Sequence, residues 1–518
     1  MLYDKNPPYP HYDHLPYAKE PWKSLYVLQR LVTTLAMVPW WVSYYTVMPR
    51  SVRPRSSWNI LQCIYVNFIR RIFKVTEVAG VTWGTRDPTS EPSDTLLRET
   101  TFEWAEPLRE DLRTGILKDG LAAPWTKVGT FVWPRKAKSI LDSVRDTMHL
   151  HPAEPTSPNP PPDPNEAHME EKAKVVCLFF HGGGYCHMSA HENSRTSRIP
   201  RGLIKRGICD EVYSVEYRLL QVAPFPAVVQ DAAAVYVHVL DKYAKMGKSC
   251  KIVLCGDSSG GNLALSLARW LRDENKVPVP DGLILLSPSC DTSHDMPETL
   301  SSYIPRPNEH SDYLVDNPEP RALLQRTFLG IKGHSTAPRT EEEEKSLMRI
   351  VHSEYVSPCS PIVLERWGHE VIQDPQGQHR KTFWNYALPN LPNVMKLNRS
   401  PEGLNPMLRR NTTSSWEDSD NPYRKTCQFP ALFASFPKTI VATGDGERLV
   451  REVRSLVAAM TKDGVDIAAH WAPDACHDPL MINETWWDKK VLDGIWEDIK
   501  KWGDEAFRHP KASEETLV

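Results

Sequence analysis

Apolar residues follow two rhythms along this chain. Residues 57–73 are spaced for a helix, and from residue 174 to about 290, and again after 436, apolar residues gather in short unbroken runs with helical stretches between them. Residues 175–180 (VVCLFF) form a continuous apolar run, the pattern of a strand covered on both faces. Residues 212–215, 252–255, 283–286, 439–442 and 467–471 repeat it in shorter form, and a strand-like piece spans 127–133. Between them, 226–244 carries Val228, Ala232, Val235 and Val239 at helical spacing, and 260–271 reads as another helix. Strand and helix in alternation predict an α/β fold, a mostly parallel central sheet flanked by helices.

The N-terminal part has a different pattern. Residues 31–49 (LVTTLAMVPWWVSYYTVMP) hold no charge, which reaches the lower edge of a membrane span. Trp40, Trp41, Tyr44 and Tyr45 would suit a bilayer interface. Against a span, Pro39 and four hydroxyl residues favour a helix packed on a globular body. Residues 57–73 place Ile60, Leu61, Ile64, Tyr65, Phe68, Ile69 and Ile72 at helical spacing, with Arg70 and Arg71 on another side. Residues 1–100 are therefore read as an N-terminal helical cap or membrane-anchor segment, not as a signal peptide. The location follows as cytoplasmic or endoplasmic-reticulum membrane-associated, with residues 31–49 as the possible membrane contact.

Residues 101–302 and 430–510 make up the α/β body. Residues 152–166 hold seven prolines, Pro152 to Pro164, and read as a loop. The rhythm fails over 303–429, where EEEEK (341–345) reads as solvated and 363–428 show little periodicity. This long stretch before the last two strands is read as a lid-like, partly irregular insertion.

Composition excludes more than it identifies. The chain has 518 residues, 41% hydrophobic and 25% charged, and a formal net charge of −3, so nothing calls for nucleic acid. Ten cysteines include no C-x-x-C pair, so no metal centre or cofactor is expected and most thiols are read as buried and reduced, with Cys427 and Cys476 as one possible disulfide. Asn398, Asn411 and Asn483 form sequons, informative only in a lumenal setting.

Two glycine-rich stretches carry the chemistry. In KIVLCGDSSGGNLALSLARWL (251–271) a strand ends in G-x-S-x-G and a helix begins at once, which makes Ser258 a candidate nucleophile on a strained turn. A bare Gly/Ser turn is the alternative. HGGGY (181–185) follows the apolar run at 175–180. Its glycines would bring backbone N–H groups close to a developing oxyanion, and Gly183, Gly184 and Ser259 are the candidate donors. A phosphate loop would need Gly-Lys-Ser/Thr, which is absent. His181 reads as a loop brace. A serine needs a base, and the base an orienting carboxylate. KTIVATGDGERLV (438–450) places Asp445 and Glu447 after a strand, and HWAPDACHDPL (470–480) does the same for His477. His477 is the candidate base. Glu447 is the preferred acid, with Asp445 as the alternative. His470, on the strand itself, reads as a packed or surface histidine.

These pieces together resemble the hormone-sensitive-lipase-like branch of the α/β-hydrolase fold, which includes arylacetamide-deacetylase-like and steryl-acetyl-hydrolase-like esterases. The resemblance rests on HGGGY, on VEYRLLQVAPFPAVVQD (215–231), on GDSSGGNLAL (256–265) and on the two late loops. The second stretch resembles the family's V-D-Y-R-L-A-P-E-x-P-F-P-A segment, with Arg218 and Pro226 in place, and there Tyr217 and Arg218 look structural. Two positions depart from the pattern: Glu447-Arg448-Leu449 stands for the usual D-P-L, and Ser259 for the alanine after the nucleophile. The resemblance implies a serine carboxylic-ester hydrolase acting on a small or lipophilic acyl ester. Alternatives are an amidase or formamidase with the same three residues, and a non-catalytic ligand-binding member such as the plant hormone receptors of this family.

Overall fold

The computed structural model describes residues 17–118, 123–135, 173–220, 222–295, 306–314, 350–372 and 429–508. The expectations for residues 152–166, 341–345, Asn398, Asn411 and Cys427 lie outside this set. Nine cysteines are described, and no disulfide joins any two of them.

Among the described residues, eight strands form one sheet: β1 (Thr101–Ala105), β2 (Val128–Trp133), β3 (Lys174–Phe180), β4 (Glu211–Glu216), β5 (Cys250–Asp257), β6 (Gly282–Leu286), β7 (Lys438–Gly444) and β8 (Ile467–Ala472). Their spatial order is β1-β2-β4-β3-β5-β6-β7-β8. Only β1 and β2 run antiparallel to their neighbours; β4 through β8 are parallel. The apolar runs follow from this burial. In β5, Ile252 and Leu254 enter one core while Val253 and Cys255 enter the core on the opposite face. In β3, Val176, Leu178 and Phe180 face the first core, and Val175, Cys177 and Phe179 the second. A two-residue side-chain period with both faces covered favours apolar residues at consecutive positions. The sequence pattern did not reveal β1, an edge strand of half-buried residues in which Glu103 separates Phe102 from Trp104.

Eight α-helices surround the sheet among the described residues: α1 (Trp22–Val47), α2 (Ile60–Ala79), α3 (Arg198–Lys205), α4 (Ala227–Lys245), α5 (Ser259–Glu274), α6 (Pro361–Arg366), α7 (Val450–Lys462) and α8 (Lys489–Gly503). Helix α2 starts where Asn59 and Gln62 form a reciprocal capping box and stops at Gly80, whose φ of 63° favours glycine. Helix α1 extends well before the uncharged run, through Lys23 and Arg30, and continues past Pro39. Arg30 spends its charge locally: its Nε donates to the Arg71 carbonyl of α2 at 3.0 Å. Arg71 Nε in turn donates to Thr34 Oγ1 at 3.2 Å. These contacts seat α1 on α2, while Trp22, Leu28, Leu35, Trp40 and Val47 on its other sides are all more than half exposed.

Candidate active site

Loops after β3, β5, β7 and β8 converge at the carboxyl ends of the parallel strands, the end at which open α/β sheets bind ligands. The cleft there encloses about 1100 Å³ of space, part of it open to solvent. Apolar side chains line much of it, among them Phe73, Met188, Tyr313, Leu314, Leu449 and Met481.

Ser258 stands between β5 and α5 with φ 53° and ψ −120°, a conformation that costs an L-residue roughly 1–3 kcal/mol. The fold enforces it. The Ser258 amide donates to the Leu286 carbonyl at 2.9 Å, and its own carbonyl accepts from Ser289 N at 3.0 Å. A Cβ on Gly256 would overlap the Gly260 carbonyl, and one on Gly260 would overlap the Phe180 carbonyl, so the G-x-S-x-G spacing is a steric requirement. The turn leaves Ser258 Oγ facing the cleft at the N-terminus of α5, where the helix dipole favours negative charge.

The glycine loop lies beside it. Gly183 has φ 115° and Gly184 φ 60°, backbone that glycine adopts readily, and both line the cleft with Ser258 and Ser259. Ser259 does more than an alanine could. Its Oγ accepts from the Tyr185 amide at 3.3 Å and ties the glycine loop to α5. His181 faces inward: Nδ1 lies 2.8 Å from the Gly182 carbonyl, and its ring stacks on Tyr217. Burial pushes His181 down to about 4, so it is neutral at pH 7. Tyr217 donates its hydroxyl to the His181 carbonyl, and Arg218 pairs with the buried Asp231 at 2.7 Å.

His477 Nε2 lies 2.9 Å from Ser258 Oγ. Its Nδ1 lies 3.7 Å from Glu447 Oε2, within ion-pair range and beyond a hydrogen bond. Glu447 is fully buried. Ser287 Oγ donates to Oε2 at 2.6 Å, Thr443 Oγ1 to Oε1 at 2.6 Å, and the Gly444 amide to Oε2 at 3.3 Å. Asp445 is engaged elsewhere, with Oδ1 accepting the Asp474 amide at 2.7 Å. Of the two acids on this loop, Glu447 is the one beside His477. His470 lies away from the cleft, 2.6 Å from Asp498 Oδ2 of α8.

Sequence reasoning missed several residues around this centre. Asp478 Oδ2 is 3.0 Å from His477 Nε2, on the same nitrogen that faces Ser258. Burial works to lower the His477 pKa, yet the carboxylates of Asp478 and Glu447 outweigh it and hold the imidazole well above its ordinary value. Burial raises Asp478 to about 6 against the opposing attraction of His477. Asp257, beneath the glycine loop, is also pushed well above the carboxylate range, first by burial and then by the Asp478 charge. Tyr313 sets its ring edge against His477, with centroids 5.9 Å apart. Phe73 and Thr76 of α2 form part of one wall. Adjacency to His477 was the available signal for Asp478. For α2, some 180 residues before the nucleophile, no local signal existed. Among the described residues no group of three or more His, Cys, Asp and Glu is arranged to hold a metal ion.

Residues 177–351 match a family model described as the alpha/beta hydrolase fold. This part of the chain has the α/β-hydrolase fold. The chain is 26% identical over 197 residues to an acetyl-hydrolase of Streptomyces hygroscopicus, covering 38% of this chain and 58% of that protein. It is 28% identical over 153 residues to the versiconal hemiacetal acetate esterase of Aspergillus parasiticus, covering 30% and 45%. It is 25% identical over 190 residues to the hormone-sensitive lipase of Homo sapiens, covering 36% and 16%. The matches thus span less than two thirds of each relative's length. The matched residues include β4, β5 and β6 with the Ser258 turn, whereas α1 and α2 precede the matched stretch.

Proposed function

We propose that this chain is a serine carboxylic-ester hydrolase, a reading carried by the 2.9 Å contact between Ser258 Oγ and His477 Nε2 at a strained strand–helix turn. Ser258 Oγ attacks the acyl carbonyl carbon while its proton passes to His477 Nε2. The carbonyl oxygen becomes an oxyanion held by the backbone N–H groups of Gly183, Gly184 and Ser259. Glu447 steadies the imidazolium. As the C–O bond to the alcohol breaks, His477 returns the proton to the leaving oxygen and an acyl-serine remains. Water adds by the same route and releases the acid. The relatives' names support this class of reaction, and the apolar cleft walls suit a small or lipophilic acyl ester. Purified protein is expected to turn over p-nitrophenyl acetate and butyrate in preference to the matching anilides. Stoichiometric binding without turnover would overturn the reading, and preference for the anilides would make the chain an amidase.

The pH dependence follows from the proton that His477 must accept. The base works only when neutral, and its pKa is raised, so kcat/KM rises with pH through a value above the ordinary histidine range. Asp478→Asn removes the leading opposing charge. The expected outcome is an acid limb displaced to lower pH in the kcat/KM profile of p-nitrophenyl acetate. A limb that stays in place would remove Asp478 from this account.

We further propose that the protein is membrane-associated through α1. A helix of 26 residues spans about 39 Å, enough to cross a hydrocarbon core, and in its most apolar stretch only 11% is buried. Leaving Leu28, Leu35, Trp40 and Val47 in water is unfavourable by roughly 25 cal/mol per Å². Alkaline carbonate treatment is expected to leave the protein in the membrane pellet. Release into the supernatant would rule out the anchor.

A further inference from the structure

Residues 306–314 come from the stretch expected to be a lid; Arg306, Tyr313 and Leu314 line the cleft, and Asp312 bonds to the catalytic loops. Asp312, fully buried, accepts three backbone N–H groups from three places. Oδ1 takes the Tyr313 amide at 2.7 Å and the His477 amide at 3.2 Å, and Oδ2 takes the Arg448 amide at 2.7 Å. One carboxylate therefore fastens the loop of the candidate base to the residue after the candidate acid. Its neighbours hold the same acid loop. Asn308 Nδ2 donates to the carbonyls of Asp445 at 3.1 Å and Glu447 at 2.9 Å, and Ser311 Oγ donates to that of Gly446 at 2.8 Å.

This brace is itself gripped from the N-terminal helices. Arg70 of α2 directs its guanidinium at the backbone of the brace: Nε donates to the Asp312 carbonyl at 2.8 Å, and Nη2 to the carbonyls of His310 at 2.9 Å and of Asp312. Just before α2, Arg55 Nη2 donates to Asn308 Oδ1 at 2.8 Å. The fork geometry matters, because a guanidinium can satisfy two carbonyls at once where an ammonium fixes one point.

We infer that Arg70 and Asp312 are positioning residues for hydrolysis: they hold the Glu447 and His477 loops in register, which makes α2 part of the apparatus that orients the imidazole. The inference rests on the ester-hydrolase reading. Its physical basis is the 3.7 Å separation between His477 Nδ1 and Glu447 Oε2, the longest link between the acid and Ser258. A backbone shift at either loop lengthens that link further, and misplacement of about 1 Å in a catalytic group costs on the order of 100-fold in rate.

The test uses the full chain. Turnover of p-nitrophenyl acetate, fluorophosphonate labelling of Ser258 and melting temperature are measured for the parent, Asp312→Asn, Arg70→Met and Arg70→Lys. Asp312→Asn is expected to lower kcat and labelling together by on the order of 10- to 100-fold while KM changes little. Arg70→Met should act the same way, and Arg70→Lys should recover part of the loss. A folded Asp312→Asn or Arg70→Met protein with parental kcat would overturn the inference, as would a loss confined to KM. If either variant fails to fold, Asn308→Ala, which removes contacts nearer the surface, is read by the same criteria. A parent with neither turnover nor labelling would refute the hydrolase reading itself and this inference with it, an outcome visible before any variant is made.

Discussion

Ser258→Ala is expected to lower kcat on p-nitrophenyl acetate by about 10⁴-fold or more, which is about 5.5 kcal/mol or more of lost transition-state stabilisation, while KM changes little. The hydroxyl is the only group removed. It projects into the cleft from a turn fixed by backbone bonds to Leu286 and Ser289, so alanine fits the same backbone and the fold should persist. The residual rate would come from the oxyanion donors and from substrate binding, which the substitution leaves in place. Steady-state kinetics with a melting curve check both halves of the expectation. Turnover equal to the parent would end the ester-hydrolase proposal.

The second large effect is expected from the acid. Glu447→Gln should reduce kcat by roughly 10²- to 10⁴-fold, whereas Asp445→Asn should change it by less than about tenfold. The contrast follows from what each carboxylate touches. Glu447 lies 3.7 Å from His477 Nδ1 and is held by Ser287, Thr443 and the Gly444 amide. A glutamine amide would present N–H donors to a site organised around an acceptor, and the imidazolium would lose a buried counter-charge. Asp445 instead accepts the Asp474 amide, so its substitution should appear in the melting temperature before it appears in kcat. Kinetics of the two variants side by side decide the assignment. Equal losses would place the acid role on the loop as a whole.

The nucleophile turn was the most legible part of the candidate site, because its cause is local. Gly256 and Gly260 lie within two residues of Ser258, and the clashes that forbid a larger residue involve the turn itself and the strand alongside. The strands were readable for a similar reason. A parallel sheet covered on both faces favours apolar residues through the middles of β3, β5 and β6, and that preference is written into consecutive positions. The edge strand β1 escaped notice because half-buried residues relax the rule. The N-terminal helices were foreseen, but their use was not. Nothing in the spacing of Arg70, Phe73 and Thr76 indicates that one grips the 306–314 segment and the others face the cleft. Asp312 was equally silent, since a lone aspartate in an aperiodic stretch carries no pattern.

From residue order alone came the α/β architecture, the strained corner at Ser258, the glycine loop beside it and two candidate acids with a candidate base. Each of these depends on backbone conformation over a few consecutive residues or on burial that repeats along one strand. Tertiary structure decided the rest: which of Asp445 and Glu447 stands beside His477, that Asp478 shares its Nε2, and that α2 and residues 308–312 brace the loops from outside the sheet. Those are contacts between segments tens to hundreds of residues apart. They exist only once the strand order has brought the loop ends within a few ångströms, and no local pattern encodes that distance.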